Sequence, residues 1–204
     1  WRRGPLRIGA TGRLFDALLV AVLGQKVQTT LAEQSLRRLT DRFGEPAPGP
    51  IELRAFPAAT AMTSLAYFQL HPAGVERRRA DVLLGAARVA ARLEEGGELG
   101  VDVAERRLRS LPGIGPWTVA VTLRAALGDP DAVPVGDAHI PHLVSWGLAG
   151  EPRGTDERML ELLEPYRGHR GRAIALLGRA GVTAPKHGPR LAPLPLERFD
   201  RRSG

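Results

Sequence analysis

Residues 111–137 read LPGIGPWTVAVTLRAALGDPDAVPVGD and join a glycine turn to a single aspartate. Apolar residues on both sides of the turn repeat at helical spacing, which predicts one helix over residues 103–111 and a second over 117–127. Gly113 and Gly115 allow backbone conformations that are closed to residues with a Cβ. The stretch therefore predicts a helix, a tight hairpin and a second helix.

The hairpin leaves backbone amides exposed at the start of its second helix. Pro116 suits the first turn of that helix, where its missing N–H costs no hydrogen bond. The amides of Gly113 and Gly115 are then expected to point outward, where the partial positive charge of the helix end favours an anion such as a DNA phosphate. A plain corner between two helices fits the same glycines, so their spacing alone leaves both interpretations open.

A Trp-Thr pair and a Gly/Pro-rich loop follow the hairpin, and the loop ends in Val135-Gly136-Asp137. In this order and at this spacing the stretch resembles the helix-hairpin-helix Gly-Pro-Asp (HhH-GPD) superfamily of DNA base-excision glycosylases, in particular the 3-methyladenine DNA glycosylase II branch. The resemblance implies an all-α, two-lobed bundle of about ten helices. It also implies an enzyme of base excision repair that flips an alkylated or otherwise damaged purine out of double-stranded DNA and hydrolyses its N-glycosidic bond.

The resemblance makes Asp137 the catalytic carboxylate. Hydrolysis of an N-glycosidic bond passes through a cationic sugar, and a nearby carboxylate can stabilise that cation or activate water. An alkylated base is already cationic and leaves without a dedicated acid. Asp137 also precedes a predicted helix over residues 138–148, and aspartate is a favoured N-cap, so capping, catalysis or both fit the residue.

Trp117 corresponds to one aromatic wall of the base pocket in the same family. Members that also nick the strand have at this position a lysine that attacks the sugar as an amine, so Trp117 predicts a monofunctional enzyme. Relatives place a second wall, a tryptophan, about ten residues after a Pro-aromatic-Arg turn similar to residues 165–167. This chain has Ala-Leu-Leu at residues 175–177 instead, so the second wall is not evident.

Gly24-Gln25-Lys26-Val27 is similar to the family's Gly-Gln-x-Val junction, whose third residue fills the gap that the flipped nucleotide leaves. Filling the gap offsets part of the cost of extrusion. Lys26 departs from the apolar residue of relatives and would exchange stacking for attraction to phosphates. Alternatively, Gln25 and Lys26 only end a helix at the surface, or Lys26 is the amine of a bifunctional glycosylase/lyase. The DNA-binding residues implied by the resemblance are Gln25, Lys26, Gly113, Gly115 and Thr118.

The sequence predicts no required cofactor. Its lack of cysteine excludes a disulfide framework and the iron–sulfur cluster of some superfamily members. The carbonyls of Arg109, Leu111 and Gly113 resemble those that hold a structural sodium or potassium ion in relatives. His139 and His142 lie near Asp137 in sequence, but no third metal ligand has a compatible spacing. Neither they nor His71, a predicted turn residue, matches a family role.

The composition favours a DNA partner over a membrane. The chain has 204 residues, 29 basic against 22 acidic, and a net charge of +7, which suits a polyanion. No run reaches the ~18 apolar residues of a membrane span, so we expect a location in the cytoplasm, associated with the nucleoid. We also expect a monomer. A non-enzymatic DNA-binding module does not account for Asp137, and a helical scaffold unrelated to nucleic acid does not account for the charge.

The expected domain covers residues 1–183, with lobes over 14–95 and 100–181 that face each other across a cleft, followed by an extended, basic, Pro-rich tail over 184–204. Because the chain begins at Trp1 without Met, we expect a domain cut from a longer protein, without the N-terminal mixed β domain of relatives. Trp146 is predicted to be buried, and residues 76–79 (Glu-Arg-Arg-Arg) to be exposed. The remaining helices are predicted over residues 13–24, 31–43, 58–67, 75–93, 159–163 and 173–177.

Overall fold

The computed structural model describes residues 6–185, and in that range the chain is helical, as predicted. Most of the expected basic tail, residues 186–204, lies outside the described residues. Two short 3-10 helices cover His71–Ala73 and Glu164–Tyr166. The α-helices of the described range are α1 (Leu14–Leu23), α2 (Thr29–Phe43), α3 (Ala59–Thr63), α4 (Tyr67–Leu70), α5 (Arg77–Arg88), α6 (Ala90–Glu98), α7 (Val101–Arg109), α8 (Pro116–Leu127), α9 (Ile140–Ala149), α10 (Asp156–Leu163) and α11 (Arg170–Arg179).

Helix α1 is the central element, with most of its side chains buried, and it packs along α8. Its apolar residues surround the helix instead of forming one stripe, which is typical of a helix enclosed by its neighbours. No side chain of its own caps its first turn; the amides of Leu14 and Phe15 donate to the Glu94 carboxylate of α6, each at 2.8 Å. The packing of α6 therefore fixes where α1 begins.

Two predicted helices differ in extent from the structure. The helix expected over residues 58–67 ends at Thr63 as α3, and a separate helix, α4, begins only at Tyr67, where the Gln69 side chain accepts the Ala66 amide at 2.8 Å. The long helix expected over 75–93 begins only at Arg77 and is interrupted at Val89 (φ −116°, ψ 15°), which separates α5 from α6.

Two predicted exposures were wrong. Trp146 is 38% exposed, because Pro141, Val144 and Ser145 form the inward face of α9 and Trp146 lies beside it. Arg79 is only 3% exposed, because it lies on the face of α5 that Leu83 and Ala86 turn toward the core. The other residues of the 76–79 cluster are exposed, as expected.

Buried apolar side chains form two clusters. The first contains residues of α1, α2 and α5–α8, including the hairpin helices, and the smaller second cluster contains Val144, Met159, Leu163 and Ile174 from α9–α11. The expected lobes divide between α6 and α7, whereas the clusters divide after α8. The loop over residues 128–139, which carries Asp137, therefore connects the two clusters.

Within residues 6–185, no helix combines the length and the apolar character that crossing a membrane would require.

Candidate active site

The turn between α7 and α8 forms the hairpin predicted from the glycines. Gly113 has φ +83°, and a Cβ at this position would lie 2.5 Å from Cγ2 of Val82, so both the backbone conformation and the neighbouring helix require glycine. Gly115 has φ −96° and ψ 178°, and no atom lies within 4 Å of its Cβ position. The fold therefore requires glycine at 113 but leaves open space at 115.

Gln25 connects the end of α1 to this hairpin. Its side-chain amide Nε2 donates to the Gly113 carbonyl at 3.1 Å and to the Thr118 hydroxyl at 2.9 Å. Thr118 is 2% exposed, so its side chain holds Gln25 instead of forming surface. The structure thus brings together three of the five residues expected to bind DNA.

Lys26 follows in an unusual backbone conformation. It is exposed, and among the described residues other than glycine it is the one with a positive φ, 54°. The left-handed region costs a residue with a Cβ about 1–2 kcal/mol, and such strain persists only where surrounding contacts enforce it. The chain is therefore held in a conformation that leaves Lys26 at the surface directly after Gln25.

The aspartate and the tryptophan expected to face a flipped base are in direct contact. The Trp117 indole Nε1 donates to Oδ2 of Asp137 at 2.8 Å. The other carboxylate oxygen, Oδ1, accepts the amides of His139 at 2.7 Å and Ile140 at 3.0 Å, at the start of α9. Asp137 thus has the capping role that its sequence position allowed, and its second oxygen extends toward the tryptophan.

The Trp117 ring also packs against the end of α1. A Cβ on Gly24 would lie 3.3 Å from Cη2 of the ring, so a side chain at this position would crowd the indole. Trp117 is therefore positioned between Gly24 on one side and the Asp137 carboxylate on the other.

Three charged residues that the sequence did not single out hold the loop that carries Asp137. The Asp156 carboxylate accepts the Gly136 amide at 3.0 Å. The Arg170 amide and Nε each donate to Oδ1 of Asp131 at 2.9 Å, and these hydrogen bonds with Arg170 lower the pKa of the Asp131 carboxyl. The partners lie far apart in sequence, so no local pattern could have identified them.

The residues at the expected second wall do not form an aromatic surface. Leu177 packs against α9, where its Cδ2 lies 2.7 Å from the position that a Cβ on Gly147 would occupy. Leu176 is 46% exposed. Among the tryptophans of residues 6–185, Trp117 is the one that donates a hydrogen bond to Asp137.

The histidines near Asp137 have structural surroundings. His142 Nδ1 accepts the Gly154 amide at 3.0 Å, and His139 contributes its backbone amide to Asp137. His71 begins a 3-10 turn and meets Tyr67 edge to face, with ring centroids 5.6 Å apart, which confirms the predicted turn. Among residues 6–185, no group of three or more His, Cys, Asp or Glu side chains is arranged to hold a metal.

Comparison with known proteins identifies the family. Residues 19–167 match the model of the HhH-GPD superfamily base excision DNA repair protein, so the chain belongs to the HhH-GPD superfamily. A DNA-3-methyladenine glycosylase of Bacillus subtilis is 26% identical, over 79% of this chain and 55% of the relative. The chain spans about half the length of that relative.

Solved structures share the fold. The 3-methyladenine DNA-glycosylase from Archaeoglobus fulgidus superimposes with a TM-score of 0.74 at 26% identity and covers 84% of this chain and 59% of its own. The Schizosaccharomyces pombe 3-methyladenine DNA glycosylase, solved in complex with abasic DNA, has a TM-score of 0.72 at 20% identity and covers 91% and 88%. The all-α HhH-GPD fold expected from the hairpin is confirmed.

Proposed function

We propose that this protein is a monofunctional DNA glycosylase that releases alkylated or otherwise damaged purines from double-stranded DNA. The observation that carries the proposal is the hydrogen bond from Trp117 to Asp137, 2.8 Å long, beside a glycine hairpin. It joins an aromatic surface suited to a flipped base with a carboxylate suited to the sugar.

The proposed reaction divides these tasks between the two side chains. The base stacks on the Trp117 ring, and a cationic alkylated base gains further attraction from the ring face. The bond between the base nitrogen and C1′ breaks, and its electron pair leaves with the base. The Asp137 carboxylate stabilises the resulting positive charge on the sugar and takes a proton from the water that adds to C1′. Because three donors already hold the carboxylate, it need not reorganise during the reaction.

A release assay tests this proposal. Duplex DNA treated with a methylating agent is incubated with the protein, freed bases are identified by chromatography, and the strand is tested for breaks with and without alkali. We expect methylated purines in solution and breaks only after alkali. Duplex binding without release would support the non-enzymatic binding module instead. Breaks without alkali, with an adduct trapped by borohydride, would support a lyase that uses Lys26 as its amine.

The hairpin is the proposed phosphate-binding element. Substitutions of its two glycines should distinguish an effect on stability from an effect on DNA binding. Gly115→Ala should fold normally, because its Cβ enters open space, yet weaken binding to all duplexes alike by obstructing a phosphate. Gly113→Ala should instead lower the free energy of unfolding by about 1–3 kcal/mol, through the positive φ and the clash with Val82. Thermal unfolding and titrations with two unrelated duplexes measure these effects. A changed lesion preference in Gly115→Ala would place this residue in the base pocket.

Lys26 is the proposed residue that fills the gap beside the extruded nucleotide. Lys26→Leu should lower the salt dependence of binding by about one counterion and leave release intact or improved. Lys26→Ala loses both the charge and the volume, so release from paired DNA should fall. Binding is measured against salt concentration, together with base release and strand breakage. Unchanged salt dependence and unchanged release in both variants would show a surface helix end, and abolished breakage in both would show a lyase.

We further propose that the reaction needs no cofactor and that any ion at the hairpin is structural. The carbonyls of Arg109, Leu111 and Gly113 would hold a sodium or potassium ion. The Gly113 carbonyl accepts Gln25, and the Leu111 carbonyl accepts the Ile114 amide at 3.2 Å, which leaves each oxygen a second lone pair for an ion. A monomer in the cytoplasm, associated with the nucleoid, also stays a prediction.

A further inference from the structure

We propose that Arg79 is a positioning residue that fixes the end of α1 and thereby holds Lys26 in place for base extrusion. The inference rests on the proposed function, since it concerns the step that delivers the base to Asp137 and Trp117.

Arg79 is a buried arginine with directional contacts. It lies in the first turn of α5 and is 3% exposed. Its Nη1 donates to the Leu23 carbonyl at 2.8 Å, and its Nη2 donates to the Gly74 carbonyl at 3.2 Å. Its Nε is buried without a hydrogen-bond partner, and the nearest carboxylate oxygen, from Glu76, is 3.6 Å away. The side chain therefore joins the last residue of α1 to the left-handed turn before α5.

A space-filling role does not account for this side chain. Burying a charged guanidinium is costly unless polar groups compensate it, and an apolar side chain would fill the same space without that cost. The planar fork of arginine can reach two carbonyls at once, which an apolar residue or a lysine does less well. The last carbonyls of a helix lack partners within the helix, and Leu23 provides one of them. Arg79 thus acts as a C-terminal cap contributed by another helix.

Leu23 is followed directly by the junction that carries Lys26. Gly24 packs against the Trp117 ring, and Gln25 is hydrogen-bonded to the hairpin. These two residues are held by the hairpin and the start of α8, and Leu23 before them is held by α5. The residue that follows the three is Lys26, at φ 54°. The strained conformation persists only while those contacts hold, so the Arg79 contact with Leu23 helps to determine where Lys26 is presented.

The inference predicts a selective defect in Arg79→Met. Base release should fall at least about tenfold, equivalent to 1.4 kcal/mol, when the damaged base is paired in a duplex. It should fall less than about threefold when the same base lies in a single-nucleotide bulge, where less extrusion work remains. Arg88→Met is the matched control, because it removes the same charge from an exposed position in the last turn of α5. We expect no selective defect in this control.

Arg79→Lys keeps the charge but not the planar fork of donors. Its ratio of base release from paired DNA to base release from bulged DNA should therefore lie between the ratios of the parent and of Arg79→Met. It also decides the question if Arg79→Met does not fold, with circular dichroism as the check on folding. Equal losses on paired and bulged substrates in a folded variant, or no loss on either, would overturn the inference.

A double-variant cycle tests whether Arg79 acts through Lys26. If it does, Arg79→Met should add little further loss on paired DNA in a Lys26→Ala background. A full, additive loss would contradict the inference. Fluorescence of 2-aminopurine placed beside the damaged base follows extrusion without chemistry. A parent protein that shows the fluorescence rise but releases no base would refute the proposed function. The effect of Arg79→Met would then be measured from the fluorescence rise on paired and bulged substrates instead of from base release.

Discussion

Asp137→Asn is expected to lower the rate of base release by about 10³-fold or more, with duplex binding nearly unchanged. The substitution removes the negative charge opposite the developing sugar cation. It keeps an oxygen that can accept the amides of His139 and Ile140, so α9 remains capped. In that orientation, however, the new amide nitrogen faces the Trp117 indole N–H, so a donor meets a donor.

Single-turnover release from alkylated duplex DNA measures the effect. Asp156→Asn is the matched control, because this carboxylate lies near the same loop and accepts the Gly136 amide. We expect the control to release bases within about tenfold of the parent. The same modest loss in Asp137→Asn would refute its catalytic role, and a loss of helical circular dichroism would show that capping is its main role.

Trp117→Ala should slow release by about 10²-fold. Loss of base stacking accounts for ~1–3 kcal/mol, and loss of the indole N–H leaves one oxygen of the Asp137 carboxylate without its partner. Trp117→Phe separates the two contributions, because it keeps a ring and removes the donor. We expect the rates to decrease in the order parent, Trp117→Phe, Trp117→Ala.

Release rates on the same alkylated duplex test this order. Trp146→Phe serves as the control for a tryptophan change outside the site, since Trp146 is 38% exposed on α9. A parental rate in Trp117→Phe would show that the indole hydrogen bond does not support the carboxylate. A rate in Trp117→Phe equal to that of Trp117→Ala would show that the aromatic ring contributes nothing beyond the indole hydrogen bond.

The local parts of this molecule could be predicted from sequence. The hairpin follows from glycine conformations within a few residues, and the amphipathic runs around it predicted α7 and α8. Asp137 and Trp117 were expected to face one site because the family pattern places them together. Their hydrogen bond was not predicted, since nothing in the spacing specifies which carboxylate oxygen turns to the indole.

The parts that depend on tertiary neighbours could not be predicted. Arg79 lies at helical spacing from Leu83 and Ala86, but a charged side chain at such a position needs a polar partner, and its partner, the Leu23 carbonyl, is 56 residues away. Glu94 of α6 caps α1 by accepting the amides of Leu14 and Phe15, which lie 80 and 79 residues away in sequence. The interruption at Val89 is also invisible in the periodicity, because the apolar positions continue through it.

The hydrogen bonds of Asp137 also limit the direction from which a reactant can approach. A carboxylate offers about four lone-pair sites. In this structure His139 and Ile140 occupy Oδ1, and Trp117 occupies one site of Oδ2. One lone pair of Oδ2 remains for a water molecule or a sugar. The side of the deoxyribose ring that meets the carboxylate, and with it the stereochemical course of hydrolysis, would then be set by the folded protein before DNA binds.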